Sequence, residues 1–110
     1  MKTAQFQSTI EGTSITIDTL ELEDTPTQVI KKIASDDDYY VILTSESNQR
    51  QQFMEGNFNK SESVIEVEMP DRSTKPLEWD KKLKDQLPTE LLKGEKPLVF
   101  VIAVTGIVGK

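Results

Sequence analysis

Residues 14–33 read SITIDTLELEDTPTQVIKKI, a strand that passes through a polar bend into a capped helix. Ile15 and Ile17 fall on one parity of that strand and Leu20 and Leu22 on the other, so the spacing predicts a bulge near Asp18-Thr19. Thr25 has the hydroxyl of an N-cap. Pro26 loses nothing at the first helical position, and Gln28, three residues after the cap, completes a capping box. The predicted helix covers 26–34. Val29, Ile30, Ile33 and Ala34 form its single apolar face, while Lys31 and Lys32 face water and suit the negative C-terminal end.

Upstream, Thr3 to Ile10 alternates, with Ala4, Phe6, Ser8 and Ile10 on one side, and Glu11-Gly12-Thr13 turns the chain toward Ser14. The two segments make a hairpin. Downstream, Tyr39 to Thr44 (YYVILT) is β-branched and aromatic on both parities, which predicts an interior strand covered on both faces. Ser45 to Ser63 is polar, with a Glu55-Gly56-Asn57 turn signal, and reads as a long loop that closes a small hairpin. Val64 to Met69 points Ile65, Val67 and Met69 inward and Glu66 and Glu68 outward, until Pro70 ends the strand. Asp71 to Pro76 is polar connector. Leu77, Trp79, Leu83 and Leu87 then recur at helical spacing, Thr89 to Lys93 makes a short turn before Gly94, and LVFVIAV at 98–104 is the most apolar strand, suited to the centre of a sheet.

The expected fold is thus α+β over residues 1–110 as a single domain: a mixed five-stranded sheet with one main helix and a second, shorter one, in the order β-β-α-β-β-α-β. With a late central strand able to pair in parallel with the first, that order resembles the ubiquitin-like β-grasp, and residues 14–33 are similar to the second strand and capped helix of such domains. The stretch at 45–63 is longer than that fold needs. The chain closes Gly106-Ile107-Val108-Gly109-Lys110 instead of the free Gly-Gly of conjugated members, so a modifier role implies removal of Lys110.

The side-chain inventory narrows function by elimination. The 110 residues contain neither histidine nor cysteine, which removes disulfides, thiolate metal sites, the commonest general base and the usual partner of a catalytic serine. Glycines stand apart at 12, 56, 94, 106 and 109, so neither GxGxxG nor a P-loop can be written. The net charge of −6 repels phosphate backbones and argues against nucleic acid as a partner. It is unevenly spread: residues 1–69 hold 13 acidic and 5 basic side chains, whereas residues 70–97 hold 6 and 7. The N-terminus lacks the unbroken apolar run of about 7–15 residues of a secretory signal, and no stretch approaches the ~20 residues of a membrane span. A cytoplasmic location and no membrane association are expected.

Four residues are the candidate partner-binding set. Phe53, Met54 and Phe58 with Arg50 lie in an otherwise polar stretch, the composition of an interface anchor, although a satellite hairpin tucked onto the core has the same composition. Asp36-Asp37-Asp38 lacks the alternate ligand spacing and central glycine of a calcium loop and reads as a turn. Glu62, Glu66 and Glu68 blunt an exposed strand, and Trp79 closes the end of a core. The expected function is that of a protein-interaction domain, an adaptor, regulatory subunit or small inhibitor, acting by surface complementarity on another protein with a basic surface. No cofactor, metal or catalytic residue is assigned. The alternatives are a carboxylate- or lysine-based enzyme or enzyme subunit, which needs a cleft gathering Asp, Glu, Lys or Tyr, and a ubiquitin-like modifier or carrier, which needs an exposed Gly109.

Overall fold

The computed structural model describes residues 2–44 and 46–106. Strands β1 (Lys2–Ser8) and β2 (Ser14–Leu20) form the antiparallel hairpin, and helix α1 (Pro26–Ser35) follows. Next come a 3₁₀ turn at Tyr40–Ile42 and helix α2 (Ser47–Met54), then β3 (Val64–Glu68) and β4 (Thr74–Pro76). Two short helices, α3 (Leu83–Gln86) and α4 (Thr89–Lys93), lead into β5 (Leu98–Ala103). The sheet is mixed, in the order β2-β1-β5-β3-β4. β5 runs parallel to β1 with Phe6 opposite Phe100, and antiparallel to β3 with Ile65 opposite Ile102. The Phe6 and Phe100 rings stack at 4.8 Å across that register.

One face of the sheet carries the core. Ala4 and Phe6 of β1, Leu98, Phe100 and Ile102 of β5, and Ile65 and Val67 of β3 are buried against Val29, Ile30, Ile33 and Ala34 of α1. The capping box is complete: the Gln28 amide donates to Thr25 Oγ1 and the Thr25 amide to Gln28 Oε1 at 2.8 Å. The register slips between Lys2 opposite Leu20 and Ala4 opposite Ile17, the bulge expected at Asp18-Thr19, which returns Leu20 to the core.

Four segments differ from expectation. Tyr39 to Thr44 is not a strand. Its amides close short-range bonds, Tyr40 N to Asp36 O and Leu43 N to Tyr40 O among them, so Ile42 and Leu43 are buried by a tight turn instead of a ladder. A short apolar run buried as a turn and one buried as a strand have the same pattern. Within 45–63, residues 47–54 form α2, which packs on α1 instead of closing a hairpin. The fifth strand is β4, in the stretch read as connector: Val67 pairs with Lys75 and Glu66 with Pro76. A three-residue edge strand containing proline carries almost no strand signal. Likewise the helix expected from the spacing of Leu77, Trp79, Leu83 and Leu87 contracts to α3. Residues 78–82 are instead held by the buried Gln86, whose side chain accepts from Glu78 N and donates to Glu78 O and Lys81 O.

Candidate functional site

The four residues of the expected anchor do not gather on the surface. Phe53 is 0% and Phe58 6% exposed, and their rings lie 5.8 Å apart, with Trp79 edge-on to Phe58 at 5.0 Å. These aromatics fill the far end of the core, the role expected of Trp79. Met54 lies half-buried against the core. Arg50 is turned inward: Nε donates to Ala34 O at 2.7 Å, capping the end of α1, Nη2 pairs with Asp37 at 2.8 Å, and the guanidinium lies 4.2 Å over the Tyr40 ring. What reads along the chain as a binding cluster is the joint between α1 and α2.

The acidic clusters are also engaged locally. Asp36 Oδ1 accepts from the Asp38 amide and Asp37 holds Arg50, and among the described residues no group of three His, Cys, Asp or Glu side chains is disposed to hold a metal. The Glu23 carboxylate is held below its ordinary range by hydrogen bonds from Lys84, at 2.7 Å, and Lys82, at 3.3 Å, and the Lys84 ammonium is raised in turn. Residues 107–110, including the Ile107-Val108 pair and the Gly109 of the modifier reading, lie outside the described residues.

Two surfaces bear on the expected function. A cleft of about 130 Å³ runs between the edge strand β2 and α1, with Ile17, Leu20, Val29 and Ile33 along it and Glu21, Asp24, Lys32, Asp36 and Tyr39 around it. Lys32 Nζ is already bound by Asp24 at 2.5 Å. The second is the sheet face away from the helices. Alternation places Thr3, Gln5 and Gln7 of β1, Val99, Val101 and Ala103 of β5, and Val64, Glu66 and Glu68 of β3 there, and none of them is buried. Register sets Val101 between Gln7 and Glu66, and Ala103 beside Val64.

That face is unusual in its middle. An open sheet face is ordinarily polar while the covered face is apolar, yet β5 is apolar on both, and its neighbour Val64 is 42% exposed. At the same end of the sheet the Thr9 amide donates to Ile102 O, and the next residue, Ile10 in the β1–β2 turn, is 52% exposed. Of the three large apolar side chains exposed among the described residues, Val41 on the 3₁₀ turn being the third, two therefore gather at this corner.

No protein-family model, curated protein or solved structure matches the chain. Site assignment accordingly rests on the geometry. No helix of the described residues is long and apolar enough to cross a membrane. The signal for the open face was in the sequence, since LVFVIAV is apolar on both parities. Only the packing of α1 on one face of the sheet decides which half of that apolar character forms the core.

Proposed function

We propose that this chain is a protein-interaction domain whose open sheet face, centred on Val64, Val101 and Ala103, docks another protein. The observation that carries the reading is the central strand β5, whose outward Val99, Val101 and Ala103 are only partly buried. Contiguous apolar surface of this kind marks an interaction site. Glu66 and Glu68 on β3, with Glu62 just before it and Glu11 in the β1–β2 turn, surround it with negative charge. The complementary partner is an apolar patch ringed by lysine or arginine, which the acidic surroundings orient and whose encounter they accelerate. The fold reading that accompanies this is a ubiquitin-like β-grasp: the order β2-β1-β5-β3-β4, parallel β1 and β5 at the centre, and a capped helix after the first hairpin all support it.

A catalytic reading has one observation in its favour, the carboxylates, lysine and tyrosine around the β2–α1 cleft. Its volume of about 130 Å³ is below the ~300 Å³ at which small-molecule sites begin. The only lysine there is neutralised by Asp24. Binding is the better-supported function.

The test is affinity capture from the native lysate with the wild-type chain, Val64→Lys and, as a control on the helical side, Asp38→Asn. We expect a partner held by wild type and Asp38→Asn and lost from Val64→Lys. An identical set of proteins on all three would sink the reading.

A further inference from the structure

We propose a second binding site, specific for an acidic peptide segment, in the cleft between the β3–β4 hairpin, α4 and the start of β5. The cleft encloses about 260 Å³ and is walled by Met69, Pro70, Leu91 and Pro97, with Arg72 and Lys96 as its cations. That is room for a carboxylate and one neighbouring apolar side chain, short of the ~300 Å³ of a small-molecule site.

The position of Arg72 is the first argument. Met69 N donates to Ser73 O at 2.7 Å and Arg72 N to Met69 O at 2.8 Å, closing a three-residue hairpin loop over Pro70, Asp71 and Arg72. The last residue of such a loop is left-handed and is ordinarily glycine. The other described residues with positive φ are indeed glycines, Gly12 and Gly56, but here an arginine stands at φ +74°. A local rule broken at one exposed position points to a use for the side chain.

Charge at the cleft points the same way. Asp71, the adjacent carboxylate, is turned back on the loop, where its Oδ1 accepts from Ser73 Oγ at 2.6 Å and from the Ser73 amide at 3.0 Å. Glu68 shares the cleft, but among the described residues neither Arg72 nor Lys96 has a carboxylate within ion-pair distance. Two cations without such a partner line one cleft in a chain with 19 acidic and 13 basic residues, within a stretch, 70–97, that holds 6 acidic and 7 basic side chains. A guanidinium and an ammonium lining one cleft suit a carboxylate, which the planar fork binds in two places. The apolar and proline walls suit a side chain next to that acid in an extended peptide.

Titration of the full chain at low salt with an acetylated, amidated Asp-Leu-Glu-Leu peptide, followed by amide chemical shifts, tests this. We expect shifts confined to residues 68–73 and 91–99, no response to Asn-Leu-Gln-Leu, and an affinity at least tenfold weaker for Arg72→Gly and for Lys96→Gln. Arg72→Gly should not lower the melting midpoint, because glycine is at home at that φ; if it does unfold the chain, Lys96→Gln decides alone. Unweakened binding by Lys96→Gln, equal binding of the neutral peptide, or shifts elsewhere would overturn the proposal. Val64→Lys should bind the peptide as wild type does, so failure here and failure of the sheet-face reading are separate results.

Discussion

Removing the Phe53 ring would open a cavity where α2, Phe58 and the rest of the core meet. Phe53→Ala is expected to cost about 3–5 kcal/mol, the range for deleting a fully buried phenylalanine, read from the shift in denaturant midpoint. A change below 0.5 kcal/mol would mean that the ring is exposed after all. Type and neighbours did not reveal this burial: Phe53 and Phe58 are embedded in asparagine, glutamine and glutamate, and their polar flanks lie on the outer side of a helix and loop that only the fold closes over the core. Val64 is the converse. It starts a strand whose next apolar residue, Ile65, is buried, yet its own side chain faces outward, so Val64→Lys should leave stability within about 0.5 kcal/mol of wild type, by the same denaturant assay.

Among the elements, α1 was the most legible, because its cap, first-turn proline and apolar face are local features that agree with one another. Thr25→Ala should destabilise by about 1 kcal/mol, the usual worth of an N-cap, measured by thermal or chemical melts; no change would mean that the capping box is not formed in solution. The link from the β2–α1 connection to α3 is tertiary. The Leu83 amide donates to Asp24 O and the Lys84 amide to Leu22 O, which brings Lys82 and Lys84 onto Glu23. A lowered carboxylate contributes stability that is present above its unfolded-state pKa and lost as pH falls through the folded value, whereas the raised Lys84 contributes below its unfolded-state pKa and loses that contribution as pH rises through its folded one. The pair should therefore matter through the neutral range and fade at both extremes. Lys84→Ala should move the Glu23 titration upward, toward the ordinary glutamate range, in a side-chain carboxyl NMR titration. A midpoint that does not move would assign the shift to another cause.

At the scale of the whole molecule, the main helix α1 packs on one face of a sheet whose central strand is apolar on both. Burial of the inner face supplies the core, and the outer face is left as surface whose removal from water is worth ~25 cal/mol per Å² to whatever covers it. The acidic character of residues 1–69 and the cations of 70–97 also come to different parts of the surface, one around Glu66 on the open face and the other at Arg72 and Lys96, with Glu68 and Val99 where the two meet. Docking to the open face should weaken with salt, since its charged surroundings are exposed and screened within about 8–10 Å at ionic strengths near physiological. Binding measured between 50 and 500 mM salt checks this, and a salt-independent affinity would remove charge from the recognition.

What the chain's own order of residues determined was the hairpin, its bulge, the capped helix, the wet-faced β3 and the central β5, along with the absence of imidazole and thiol chemistry. Each depends on short-range period or on composition, and neither needs a partner distant in sequence. The tertiary structure alone decided that 39–44 turns instead of extending, that 74–76 joins the sheet, that Phe53 and Phe58 lie inside, and which parity of β5 faces the core. Burial is settled by which elements arrive from elsewhere in the chain to cover a side chain, and that information is not carried by the side chain's immediate neighbours.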